Sequence, residues 1–206
     1  MLLAFTHLYD IDGMVRVPTR EKTRLYRYLE DGAAGLMIPH VSTPEEARDL
    51  VSKVKFPPIG DRGLVGIGLD ADFGTYSGDR KSYVEHAQRE TFVMVQVETP
   101  EALANLDAIA AVPGLDGLYI GPADMQIRME QLPEAERVSG VELMKQVAAI
   151  CDAHNQPWGY FALAEEPLRE QLELGAKLIV WGADFKMLQD GLTQCRDDLN
   201  TLLADT

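Results

Sequence analysis

Glu98 and Asp124 are the two side chains of this sequence best placed by their neighbours to do chemistry together. They stand in two short strings, Val95-Gln96-Val97-Glu98-Thr99 and Gly121-Pro122-Ala123-Asp124, each acid coming just after an apolar run, Phe92 to Val97 and Leu118 to Ile120. Runs of that length and content read as buried parallel strands, so both carboxylates fall where a strand ends. In a (β/α) barrel the strand C-termini converge on one face, and sites are built there. Residues 26 positions apart (124 − 98) then become neighbours across one βα unit. Two hard oxygen ligands side by side suit a divalent cation. Each acid also has a plainer reading, as a helix cap or first-turn acid. That reading fits Asp124 best and is compatible with metal binding; for Glu98 it is weaker, because Thr99 is the better cap.

The elements that must position these groups alternate along the chain. Met14-Val15-Arg16-Val17-Pro18 reads as a short strand, followed by a helix with Leu25, Tyr28 and Leu29 on one face and Gly32 as its stop. Gly35 to Pro39 is the next strand. Thr43-Pro44-Glu45-Glu46 then opens a helix with a cap, a first-position proline and a capping box, and Ala47, Leu50, Val51 and Val54 form its stripe. Thr99-Pro100-Glu101 repeats the punctuation before a helix with Leu103, Leu106 and Ala110 inward. Further strands are expected at 117–121, 158–162 and 177–182, and helices at about 141–154, 166–174 and 185–203. The last helix has Leu188, Leu192, Cys195, Leu199 and Leu202 in register. Six βα units in one domain, residues 1–206, imply an α/β fold with a parallel sheet.

Between residues 56 and 91 the rhythm breaks. Phe56-Pro57-Pro58-Ile59-Gly60-Asp61-Arg62-Gly63 is followed by Gly66, Gly68, Gly74 and Gly78, with a short helix expected near 80–89. A loop of that length is usually functional or disordered. Its glycines have the wrong order for a dinucleotide fingerprint. Arg62 stands in it either as a functional cation or as a surface arginine.

The chain has 206 residues, 46% of them apolar, and a formal net charge of −14. It can bury one substantial core, although a complete eight-unit barrel usually takes about 250 residues. The charge disfavours nucleic acid and anionic membrane as partners. It leaves room for a small anion where a bound ion and an arginine reverse the local field. No signal peptide and no membrane span are expected. Cys151 and Cys195 form no disulfide framework and fit a reducing compartment, so the expected location is cytoplasmic. His7, His40, His86 and His154 lack metal-ligand spacing; His40 ends a strand and can face the site. Trp158 and Trp181 read as core or mouth packing.

Phe-Pro-Pro-x-Gly-x-Arg-Gly at 56–63, Gln-Val-Glu at 96–98 and Gly-Pro-Ala-Asp at 121–124 together resemble the HpcH/HpaI family. These are the metal-dependent, pyruvate-using class II aldolases, including 4-hydroxy-2-oxoacid and 2-dehydro-3-deoxyglucarate aldolases. Val15-Arg16-Val17-Pro18 and Gly182-Ala183-Asp184 also fit, and the resemblance covers nearly the whole chain. It implies a TIM-type (β/α) barrel, here incomplete at about six of eight units. It implies that Glu98 and Asp124 hold Mg²⁺ or Mn²⁺, with Co²⁺ as a further choice, and that the ion acts as a Lewis acid on a 2-oxo acid. Arg62 would point at the same keto oxygen, and Gln96 would orient water or substrate. Backbone around Gly121, Pro122, Ala123 and Asp124 would grip the substrate carboxylate at a helix start.

The resemblance also implies about two further βα units ahead of Met1, carrying a Glu-His pair whose histidine is the base. The chain is therefore expected to be N-terminally short. A family aspartate that assists that histidine falls at Glu30, leaving Glu30 or a metal-bound water as candidate base. The Arg128-to-Glu130 stretch replaces small residues that the family often has after its aspartate. The implied activity is reversible aldol cleavage of a 4-hydroxy-2-oxo acid to pyruvate and an aldehyde, in a homo-oligomer, commonly a hexamer. Two other readings stand beside it. One is a non-catalytic remnant that binds metal and keto acid or pairs with a full-length relative; the other is a coenzyme A thioester lyase of the citrate lyase branch.

Overall fold

Short apolar runs bounded by glycine, proline or a polar pair become strands because they can bury both faces, and six such runs do so here. The computed structural model describes residues 2–75 and 79–204, so Gly78 of the glycine-rich loop lies outside the described residues. The strands are β1 (Met14–Arg16), β2 (Gly35–Ile38), β3 (Phe92–Val97), β4 (Gly117–Ile120), β5 (Trp158–Ala162) and β6 (Leu178–Trp181). They form one sheet in the order β1-β2-β3-β4-β5-β6, with every pairing parallel. The sheet curls into a half-barrel with helices between the strands, an incomplete TIM-type α/β barrel. β2 and β4 are buried at every position, whereas the edge strands β1 and β6 are partly open.

The helices are α1 (Leu2–Leu8), α2 (Lys22–Glu30), α3 (Pro44–Val54), α4 (Arg80–Glu90), α5 (Pro100–Ala104), α6 (Leu106–Ala110), α7 (Pro122–Met129), α8 (Gly140–Ala153), α9 (Glu165–Glu173) and α10 (Asp184–Ala204). The core lies between the sheet's outer face and this helical layer, with Leu25, Leu50, Ile109 and Val147 meeting Ile38, Val95 and Leu118. Truncating one of these, Leu118 to alanine for instance, costs about 2–5 kcal/mol.

Capping places two of the helices. Thr43 Oγ1 accepts from Glu46 N at 3.2 Å, and Glu46 Oε2 reaches back to Ser42 N at 2.7 Å, one residue beyond the position a standard capping box uses. Thr99 Oγ1 accepts from Ala102 N at 2.9 Å. The two cap loops are tied together, because Ser42 Oγ and Thr99 Oγ1 lie 2.8 Å apart and Asn105 Nδ2 donates to Ser42 O at 2.9 Å. That last bond explains a difference from the sequence reading. The single helix expected from Thr99 to Ala110 is split into α5 and α6 at Asn105, whose backbone leaves the helical region.

Candidate functional site

Side chains alternate faces along a strand, so every second residue points to the barrel axis. On β3 and its extension these are Met94, Gln96 and Glu98; on β4, Tyr119 and then Gly121; on β1, Met14 and Arg16. The registers Arg16↔Met37, Met37↔Met94 and Gln96↔Tyr119 set them side by side. All of these but Met94 line a cavity of about 380 Å³ at the C-terminal end of the sheet, closed on the other side by Phe161 and Val180. Glu98, Gln96, Gly121, Pro122, Ala123 and Asp124 all border it, so the structure brings these six sequence candidates together.

Glu98 is 1% exposed. Its Oε1 accepts from His40 N at 2.6 Å and from His40 Nδ1 at 2.8 Å. His40 reaches this position with φ +58, a left-handed backbone that turns its N–H toward the strand end of β3. Arg20 holds the His40 carbonyl from the other side and pairs with Glu46 at 2.7 Å. The other oxygen, Oε2, lies against Gly121, where an added Cβ would come within 2.4 Å of it. Glycine is required there for space, not for backbone freedom.

Asp124, in the first turn of α7, is half-open. Arg128 beside it, through a hydrogen bond and its charge, holds the Asp124 carboxyl below the usual range, with His40 and Arg16 adding to the same effect. Tyr119 is buried, which pushes its phenol up to about 12, so it stays a neutral donor at the cavity wall. The first backbone bond of α7 runs from Met125 N to Gly121 O at 3.1 Å. The N–H groups of Ala123 and Asp124 therefore precede the helical ladder and have no partner within it.

A buried carboxylate bonded to a histidine, next to a second carboxylate on the neighbouring strand end, fits a divalent ion that keeps its other positions for water and ligand. The fit is of that sparse type. Among the described residues no group of three or more His, Cys, Asp or Glu side chains is arranged to hold a metal.

Arg16 is the residue that sequence reasoning missed. It ends β1 and donates Nε to Gln96 Oε1 at 2.8 Å, and among the described residues no carboxylate lies within ion-pair distance of it. The signal was available, since a charged residue closing a strand of the sheet carries the same implication as Glu98.

Arg62 and Glu30 are corrected by the structure. Arg62 is 5% exposed, donates Nη2 to Asp70 Oδ2 at 2.9 Å and covers the Phe56 ring at 4.5 Å. Tyr83 Oη donates to the same Asp70 oxygen at 2.5 Å. The Arg62 backbone is anchored to Lys55 O, and Lys55 Nζ donates to Thr91 O, immediately before β3. Arg62 therefore sits at the N-terminal end of β3, about 20 Å from the Glu98 end by strand rise, and does not reach the keto oxygen expected between Glu98 and Asp124. Glu30, 4% exposed at the C-terminal end of α2, shares that cluster, 3.5 Å from Arg27. Burial raises its carboxyl, with Arg62 opposing and Asp70 reinforcing the shift. It is not placed to serve as a base at the mouth.

Comparison with known proteins gives the family and agrees with the fold. The sequence model of the HpcH/HpaI aldolase/citrate lyase family matches residues 2–190. A curated 5-keto-4-deoxy-D-glucarate aldolase from Salmonella arizonae is 34% identical over 184 residues, covering 89% of this chain and 70% of the relative. The crystal structure of an HpcH/HpaI aldolase from Desulfitobacterium hafniense superimposes with a TM-score of 0.85 at 26% identity, over 96% of this chain and 76% of that one. An HpcH/HpaI aldolase/citrate lyase family protein from Burkholderia cenocepacia gives 0.78 at 34% identity, over 91% and 73%.

Proposed function

The chain belongs to the HpcH/HpaI aldolase/citrate lyase family, and from that membership and the mouth geometry we propose that it is a carbon–carbon lyase cleaving a 4-hydroxy-2-oxo acid to pyruvate and an aldehyde. The observation that carries this reading is the convergence on one cavity at the strand C-termini of Glu98, Asp124 and Arg16, an arginine with no carboxylate partner among the described residues.

Aldol cleavage breaks the C3–C4 bond: the C4 hydroxyl gives its proton to solvent as the aldehyde forms, the bonding pair becomes an enolate with its charge on the 2-oxo oxygen, and C3 then takes a proton back from solvent to give pyruvate. The requirement is a fixed positive environment at that oxygen. Arg16 supplies it, because its guanidinium is always charged and is aimed into the cavity by Gln96. Glu98 and Asp124 would hold the divalent ion, Mg²⁺ or Mn²⁺ by ligand type. When bound, the ion adds Lewis-acid stabilisation of the developing charge. The free N–H groups of Ala123 and Asp124 face the place for the substrate carboxylate, where the α7 N-terminus favours an anion. Tyr119, neutral and buried, can donate a hydrogen bond without adding charge. The apolar wall of Met14, Met37, Phe161 and Val180 limits water at the reacting carbons.

We further propose that the protein works as a homo-oligomer. No residue of α10 is buried, and Phe185, Leu188, Leu192 and Leu199 stand exposed along it. Covering that stripe with a second copy would remove a continuous apolar surface from water. A monomeric mass in light scattering contradicts this.

The activity is tested by pyruvate release from a 4-hydroxy-2-oxo acid, beginning with 5-keto-4-deoxy-D-glucarate because a curated relative bears that name. Release that stops with chelator and in both Arg16→Ala and Glu98→Gln supports the proposal. Release indifferent to all three overturns it.

A further inference from the structure

Asp124 does not enter the mouth unpaired. Arg128, one turn further along α7, donates Nη1 to Asp124 Oδ1 at 2.8 Å and to the Asp124 carbonyl at 3.0 Å. The same nitrogen lies 3.5 Å from the carbonyl of Glu98. One guanidinium nitrogen thus touches the backbone of both proposed ion ligands and the carboxylate of one of them. The acid precedes the base by four residues, the favourable orientation for such a pair on a helix. Glu98 differs, since among the described residues it has no arginine or lysine partner and its Oε1 is held by His40 alone.

The two carboxylates are therefore unequal toward a cation. One is open to it and the other already carries one. We propose that Arg128 is an internal counter-cation that competes with the divalent ion for Asp124, so that ion binding requires the guanidinium to leave Oδ1.

The proposal rests on reading Glu98 and Asp124 as the ion's ligands. Its physical basis is that an arginine cannot lose its proton to relieve repulsion from an incoming ion, so only displacement relieves it. Displacement is open to it, because the Arg128 side chain is 37% exposed and Asp124 44% exposed. Once displaced, the guanidinium remains at the rim of the cavity as a second free cation beside Arg16. An acid group at the far end of a substrate can then take it. Ion and dianionic ligand each favour the arrangement that the other needs, which couples their binding.

The test is Mn²⁺ binding to the purified protein, followed by electron paramagnetic resonance at low ionic strength, with folding of each variant checked by circular dichroism. Arg128→Gln is expected to tighten Mn²⁺ binding about three- to tenfold, the range set by repulsion between partly solvated charges. Arg128→Lys keeps the charge and is expected to stay near wild type. Asp124→Asn is expected to lose the site. If Arg128→Gln leaves affinity unchanged or weakens it while Asp124→Asn loses binding, Arg128 positions Asp124 and the competition is refuted. Equal tightening in Gln and Lys variants points to shape instead of charge and also refutes it. Binding that is absent from wild type, or indifferent to Asp124→Asn, sinks the ligand assignment and this proposal with it.

Discussion

Glu98 and His40 are joined twice, through the backbone N–H at 2.6 Å and the ring Nδ1 at 2.8 Å, and the backbone bond depends on a left-handed residue at position 40. A glycine adopts that φ freely and a β-branched residue does so poorly. His40→Gly is expected to keep the backbone bond and lose only the ring contact, lowering stability by about 0.5–1.5 kcal/mol. His40→Val adds backbone strain of about 1–3 kcal/mol. Urea unfolding should rank wild type above Gly and Gly above Val. A valine variant as stable as the glycine one would show that the left-handed turn is not needed.

Gly121 is where Glu98 finds room. Its alanine variant places a carbon within 2.4 Å of Oε2, so the carboxylate must swing off its His40 anchor. Overpacking of this kind costs about 1–3 kcal/mol. Gly121→Ala should therefore melt lower and release no pyruvate above background, and an active Ala variant would contradict the packing.

Arg16 and Arg62 separate activity from stability. Arg16→Ala removes a cavity donor that has no acid partner among the described residues, so pyruvate release should fall about 10²–10³-fold with the melting temperature nearly unchanged. Arg62→Ala strands Asp70 without its cation in a buried cluster, and breaking such a pair costs about 3–5 kcal/mol. Its melting temperature should fall while turnover per folded molecule holds. The reverse pattern in thermal melts and turnover would reinstate Arg62 at the site.

Glu30 gives a pH signature. Burial raises its carboxyl above the ordinary value of 4.5. Between that value and the raised one, the native state keeps a proton that the unfolded chain has lost. Its contribution is fully present below 4.5 and is lost as pH climbs through the raised value. Glu30→Gln carries no such titration, so its stability relative to wild type should increase with pH across the window and then level off. Denaturant unfolding at a series of pH values reads the difference, and a flat difference would place Glu30 in water.

The architecture was largely legible because each βα unit announces itself locally. All six strands and the Thr-Pro openings of α3 and α5 follow from runs and caps that neighbouring residues decide. The carboxylates followed too, since a strand end defines a face. Arg62 was misplaced for an identifiable reason. Its loop follows α3 with no strand in between, and the C-terminal end of a barrel helix lies at the opposite face from the strand C-termini. Counting that alternation would have put Arg62 at the bottom and Arg16 at the top. The split at Asn105 was not legible, because its cause is a hydrogen bond to Ser42, 63 residues earlier in the chain.

The unbroken strand order has a consequence for how such a protein can change. Each strand pairs only with its neighbours in sequence, so no connection passes over an intervening strand, as in arrays assembled from stacked repeats. An added βα unit at either margin would pair with β1 or β6 and leave every existing register untouched. The fold is thus extensible by accretion, and the mouth chemistry between β1 and β4 travels with the units that carry it.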